Sequence, residues 1–241
     1  MNVLTVANAL KFYDLQPERR VRVWFVFLMG IFAAGFLLPF VDPDFSELLE
    51  ALLRFTQGGA GLPRLSGGQW NFLGFQLIVR AAGVVAGIDY LRHYLGSEGK
   101  PRAVSARVWL CMLLFEVLTA LIYLVSAPFM LIPYLVFITL FLFVQPELMM
   151  YGGSIAKAMQ QSWLLGRGVR LHVASSVVLL AALFLIADSW LIPLARGNVY
   201  GIALTGGFLF AWEVLSKAKL TGMLYTSLVQ RSRTSRPLTP K

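Results

Sequence analysis

Cysteine, histidine and charged residues are all scarce in this sequence of 241 residues. The single cysteine, Cys111, excludes an intrachain disulfide and a cysteine-rich metal site. The two histidines, His93 and His172, are far apart and match no metal-binding motif. Charged residues make up 14% of the chain, whereas about a quarter is usual in a soluble domain. This composition excludes an ordinary water-soluble domain and a disordered chain.

Hydrophobic residues make up 58% of the chain, and the mean hydropathy is +0.70. Apolar runs recur that are long enough to cross a bilayer, which takes about 20 helical residues. Helices are expected because an unpaired backbone group in hydrocarbon costs several kcal/mol. The sequence therefore predicts an all-α integral membrane bundle of six helices with short interfacial amphipathic helices, forming one polytopic domain over residues 1–241. The predicted spans are residues 23–41, 72–94, 106–126, 128–150, 171–194 and 200–222.

Lysine and arginine are distributed unevenly among the predicted loops. Seventeen of the 21 fall on one side, in the N-terminal segment, the second-to-third loop, the fourth-to-fifth loop and the tail from Lys217 onward. The opposite side holds only Arg54, Arg64 and Arg196. Basic loops stay in the cytoplasm, so both termini are predicted to be cytoplasmic, with residues 231–241 as a basic tail. The predicted location is the cytoplasmic membrane of a bacterium.

Two short segments between the spans are predicted to be interfacial helices. In DPDFSELLEALLRF (residues 42–55), Asp44 can cap a helix, with Glu47 as its capping-box partner. In the fourth-to-fifth loop, Ser154 can cap a helix that carries Ile155, Met159 and Trp163 on one face. Glycine and alanine in AAGVVAG (81–87) and GIALTGG (201–207) predict close helix contacts, either within the chain or between protomers.

The segment LIPYLVFITLFLFVQPELMMYGGSIAKAMQQSWLLGRGVRLHVASS (131–176) resembles the YciC-like family of bacterial membrane proteins. It also resembles the membrane domain of some glycerophosphodiester phosphodiesterases. The residues that match the family pattern are Pro133, Pro146, Gly153, Ala158, Ser162, Trp163 and Gly168. The resemblance implies a six-span fold without assigned biochemistry, and no phosphodiesterase activity, since that domain is absent here.

The sequence near the end of the sixth span, MLYTSLVQR (223–231), also resembles the family. It implies a sixth helix that runs to about Gln230. A helix over residues 200–230 is about 46 Å long at 1.5 Å per residue, longer than the hydrocarbon core of about 30 Å. It must tilt strongly or project into the cytoplasm. Projection is favoured because it places Lys217 and Lys219 near the inner headgroups.

Charged residues inside predicted spans are the default functional candidates, because a charge at mid-membrane is costly. We expect a polar network of Arg80 and Glu116, with Asp188 as a further partner of Arg80. One interpretation is a static ion pair that fixes helix register. The other is a pathway for a substrate or a proton. A pocket that holds Arg80 and Glu116 and opens to one side would favour the pathway, whereas a dry, packed pair would favour the static role.

A second set of charges is predicted near the inner membrane boundary. Glu213 and Lys217 are four residues apart on one helix, a spacing that favours a local pair. The acidic members of the set lie close to Arg92, Lys157 and Lys217 and are expected to form interfacial salt bridges with them. The alternative is a polar vestibule that faces the cytoplasm. Its members are Asp89, Arg92, Glu147, Glu213 and Lys217, together with Lys157.

The sequence shows no nucleophile–base pair, no phosphate-binding loop and no metal motif. No catalytic, cofactor-binding or metal-binding residue is therefore predicted, and the chain is not expected to be an enzyme. The expected function is a scaffolding, regulatory or lipid-associated role. The alternative is a transporter or permease component with a polar path near Arg80 and Glu116. The expected partners are the lipid bilayer and either another protein or a homo-oligomer, but not nucleic acid.

Overall fold

A computed structural model describes residues 2–15, 18–42, 65–98, 104–126, 131–195 and 197–234. Within these ranges all regular structure is helical, which confirms the predicted all-α class. A single 3₁₀ turn, Phe12–Asp14, follows the first helix. The helices in chain order are α1 (Asn2–Leu10), α2 (Glu18–Leu37), α3 (Gly67–Glu98), α4 (Ala106–Ser126), α5 (Ile132–Phe141), α6 (Val144–Tyr151), α7 (Ile155–Leu165), α8 (Arg170–Leu194) and α9 (Val199–Thr234).

The described residues contain six segments that are long and apolar enough to cross a membrane, as predicted. The first ends at Leu37 rather than at residue 41, and the sixth runs on to Gln230 within a helix that ends at Thr234. The segments are Arg19–Leu37, Gly67–Gly96, Ala106–Ser126, Ile132–Tyr151, Arg170–Leu194 and Val199–Gln230. The predicted helix with Asp44 and Glu47 lies outside the described residues, as does the end of the basic tail.

The fourth span is not the continuous helix that the sequence predicted. It is divided into α5 and α6 at Leu142 and Phe143. Pro146 explains the break, because proline has no N–H to bond the carbonyl of residue 142 and its ring crowds the preceding turn. The chain then reverses at Gly152 and Gly153, both with positive φ, the conformation that glycine adopts without strain.

The chain divides into two compact units. The first unit comprises residues 1–22, 84–186 and 212–241. Its apolar core draws fully buried side chains from most of its helices, among them Val6, Ile88, Met112, Leu148, Leu180 and Leu220. The core therefore joins elements from the beginning, the middle and the end of the sequence.

The second unit comprises residues 23–83 and 187–211. Aromatic rings fill much of its interior: Phe32 stacks on Phe210 with ring centroids 5.4 Å apart. α2 and α9 approach closely at Gly207, where an added Cβ would lie 2.6 Å from the carbonyl oxygen of Met29. The small residues of GIALTGG thus serve a contact within the chain.

Candidate functional site

The break in the fourth span is held by a side chain from α7. The Ser162 hydroxyl donates to the carbonyl of Leu140 at 3.0 Å and accepts from the amide of Phe143 at 3.2 Å. Ser162 is completely buried. Irregular backbone at membrane depth persists only where other groups satisfy it. Ser162 supplies both a donor and an acceptor at the break, which ties α7 to it.

Glu116, predicted near the middle of the third span, lies beside this break. Its Oε1 accepts a hydrogen bond of 2.5 Å from Nε2 of Gln145, at the start of α6. Glu116 is half-buried on α4. The contact joins α4 to the helix that follows the break, and it gives the carboxyl group a neutral partner within the first unit.

Glu147 hydrogen-bonds to a tyrosine, which was not among the basic neighbours expected for it. Its Oε1 accepts a hydrogen bond of 3.0 Å from the hydroxyl of Tyr225 on α9. Both residues are buried, Glu147 at 9% exposure and Tyr225 at 2%. A buried carboxyl group without a partner would be costly, so this hydrogen bond ties α6 to the last helix.

Asp89 is buried like Glu147, and it forms an ion pair with Arg20. Two hydrogen bonds of 2.9 Å, from Nε and from an η nitrogen of Arg20, reach the two carboxylate oxygens. This two-point geometry is the strongest form of an arginine–carboxylate contact. Arg92, one of the basic neighbours expected for the acidic residues, lies half-buried one turn along α3. The expected Glu213–Lys217 contact is present on α9.

The N-terminal segment, residues 2–15, is held through its backbone. Trp212 Nε1 donates to the carbonyl of Leu10 at 3.2 Å, and Lys219 Nζ donates to that of Lys11 at 2.5 Å. The Tyr90 hydroxyl donates to the carbonyl of Phe12 at 2.8 Å. Three consecutive carbonyls at the end of α1, where helical partners run out, thus receive side-chain donors from α3 and α9. We call this arrangement the carbonyl clasp.

The remaining predicted candidates lie in the second unit. The Arg80 guanidinium carbon lies 5.4 Å from the centroid of the Phe210 ring, within the range of a cation–π contact. Asp188 is exposed on α8. Glu116 belongs to the first unit and Arg80 to the second. The predicted Arg80–Glu116–Asp188 network stays a prediction.

A cleft of about 390 Å³ opens between the start of α4 and the α6–α7 turn. Its polar lining includes Ser105, Arg107 and Ser154, and Gly152 and Gly153 form part of its wall. It contains neither Arg80 nor Glu116. The two chain segments that form it are those that the charge count placed in cytoplasmic loops, so the cleft is predicted to face the cytoplasm.

Ser154 caps α7 as predicted, because its hydroxyl accepts from the amide of Lys157. No local pattern marks Arg20, Gln145 or Tyr225 as a partner of an acidic residue. These partners are 29 to 78 residues away from the carboxylates they contact. Only the resemblance had marked Ser162, and it attached no role to that residue.

The six apolar helices found among the described residues indicate the class of a multi-pass membrane protein. No family model, curated protein or solved structure matches the chain.

Proposed function

We propose that this chain is a non-catalytic, multi-pass protein of the bacterial cytoplasmic membrane with a scaffolding, regulatory or lipid-associated role. One observation carries the proposal: in the first unit, Glu116 accepts a hydrogen bond from Gln145 of a neighbouring helix. The side chain that sequence reasoning offered for a transport path thus serves a contact between helices. The distribution of basic residues supports cytoplasmic termini. The proposed partners are the bilayer and a protein partner or a second copy of the chain, without nucleic acid.

Membership of the YciC-like family is part of the proposal. Its support is that several residues of the resemblance cooperate in one structural element. Pro146 interrupts the fourth span, Ser162 hydrogen-bonds at the interruption, and Gly153 adopts a φ of 104° in the turn between α6 and α7.

A transporter component is the second candidate, and the broken fourth span favours it. Discontinuous helices are a recurring source of substrate and ion sites in transporters, because they expose unpaired backbone groups near the bilayer midplane. In this chain Ser162 already bonds to both sides of the break. That arrangement supports a structural role for the break and places transport second.

Native mass spectrometry of the protein released from native-lipid nanodiscs would test the proposal. We expect co-purifying lipid or protein, and the same set with Glu116→Gln, because the new amide oxygen can still accept from Gln145. Glu213→Gln is the matched control, since it makes the same change at a surface ion pair. A small solute retained by the control and lost with Glu116→Gln would favour the transporter instead.

A further inference from the structure

We infer that the cleft between the start of α4 and the α6–α7 turn binds the phosphate group of one acidic phospholipid. This inference rests on the lipid-associated form of the function proposed above. The cleft volume of about 390 Å³ lies within the range of about 300–1,000 Å³ that is usual for small-molecule sites. Its size suits a headgroup rather than a whole lipid.

The charge of the cleft favours an anion. Arg107 lines it, and among the described residues that line it none is acidic. Lys157 reaches its edge, because the Cδ atom of Lys157 lies 4.0 Å from where a Cβ on Gly153 would be. Neither cation forms an ion pair with any residue in the part of the chain that the structure describes. Both are therefore available for a phosphate group.

The wall of the cleft leaves room for a ligand. An added Cβ at Gly152 would meet no atom within 4 Å, so the glycine borders open space. Both helices that begin at the cleft are capped by serine: Ser105 accepts from the amide of Val108, and Ser154 from that of Lys157. The positive ends of these helices add to the charge of Arg107 and Lys157.

The surface next to the cleft distinguishes a lipid from a free phosphate. Arg107 stands at one end of a stripe of exposed apolar side chains that recur at helical spacing along α4. The stripe consists of Leu110, Leu114, Val117, Leu121 and Leu124, all more than half exposed. An amphiphile fits this pattern, with its phosphate beside Arg107 and its acyl chains along the stripe, whereas inorganic phosphate would leave the stripe unused.

Titration of the full-length protein in neutral detergent, followed by native mass spectrometry, tests the inference. The probes are phosphatidylglycerol, phosphatidylcholine and inorganic phosphate. We expect one phosphatidylglycerol to bind more tightly than phosphatidylcholine. Arg107→Gln should weaken that binding about fivefold, in line with about 1 kcal/mol for one cation near an acidic headgroup. Val104→Trp should abolish it by filling the cleft without changing charge.

Arg167→Gln is the matched control, because it removes one positive charge from the exposed α7–α8 turn, outside the cleft lining. Equal weakening by Arg107→Gln and Arg167→Gln would overturn the inference in favour of diffuse attraction. Unchanged binding in Val104→Trp would overturn it as well. Inorganic phosphate that binds as tightly as the lipid, and depends on Arg107, would exclude the lipid as the ligand. None of these outcomes involves Glu116, so they leave the test of the proposed function separate.

Discussion

The two compact units of this protein are stabilised by different kinds of contact. In the first unit, buried carboxyl groups pair with side chains from other helices, as in Asp89–Arg20 and Glu147–Tyr225. In the second, the closest contacts described above are those of ring on ring and of backbone against backbone, at Phe32–Phe210 and at Gly207. Most of the lysines and arginines of the chain belong to the first unit.

The difference shows two solutions to helix association in a membrane. Lipid is as apolar as leucine, so burial of apolar surface contributes little, and packing or hydrogen bonding must hold helices together. Close packing is sensitive to a single added methyl group, whereas paired polar groups are sensitive to the loss of one partner. Each unit should therefore respond to a different type of substitution.

The largest loss of stability is expected from a substitution at the close contact between α2 and α9 in the second unit. Gly207→Ala would place a methyl group 2.6 Å from the Met29 carbonyl oxygen, so the helices must separate. Overpacking of this kind costs about 1–3 kcal/mol, and the upper end is expected because backbone cannot move aside as a side chain can. Gly30→Ala is the control, since nothing lies within 4 Å of its added Cβ. Thermal unfolding in detergent should separate the two variants, and equal stability would contradict the close-packing account.

A somewhat smaller loss of stability is expected when a hydrogen-bond partner is removed in the first unit. Tyr225→Phe leaves the Glu147 carboxyl buried without its hydrogen bond, which should lower the free energy of unfolding by about 1–2 kcal/mol. Tyr200→Phe makes the same change at a residue that is 67% exposed, where the effect should stay within about 0.5 kcal/mol. The same unfolding assay compares them. A Tyr225→Phe variant as stable as Tyr200→Phe would mean that this hydrogen bond contributes nothing to the first unit.

The smallest effect is expected from the loss of one donor of the carbonyl clasp, and it should be confined to the N-terminal segment. Lys219→Met removes the donor to the Lys11 carbonyl. A hydrogen bond from a charged group contributes about 1.5 kcal/mol to stability, which corresponds to about a tenfold change in an equilibrium constant. Amide hydrogen exchange in residues 2–15 should therefore become about tenfold faster. Lys217→Met changes a lysine two residues away whose partner is Glu213. In the Lys217→Met variant, amide exchange in residues 2–15 should be as slow as in the unmodified protein. Faster exchange in both variants would point to general loosening of α9.

Much of the fold could be predicted because it depends on local patterns. Apolar runs fixed the number of spans, and the serine at position 154 signalled the start of a short helix through the chemistry of its side chain. The i, i+4 spacing of Glu213 and Lys217 was equally local. Features of this kind are visible because their residues are neighbours along the chain.

The partners of the buried acidic residues could not be found in that way. Asp89 has Arg92 nearby on its own helix, but the actual partner, Arg20, is 69 residues away. The break in the fourth span was missed although Pro146 was in view, because proline is tolerated in membrane helices when neighbours satisfy the backbone. The break is stabilised by hydrogen bonds from Ser162, and the position of Ser162 beside the break depends on tertiary packing.

The carbonyl clasp has a consequence for how the chain is made. The Leu10 and Lys11 carbonyls bond to side chains 202 and 208 residues further along. Two of the three clasp donors, Trp212 and Lys219, lie in the sixth described span, which is synthesised after the other five. Their bonds to the N-terminal segment can therefore form only once all six of these spans have been made. Truncation within α9 before Trp212 should leave the Leu10 and Lys11 carbonyls without these donors.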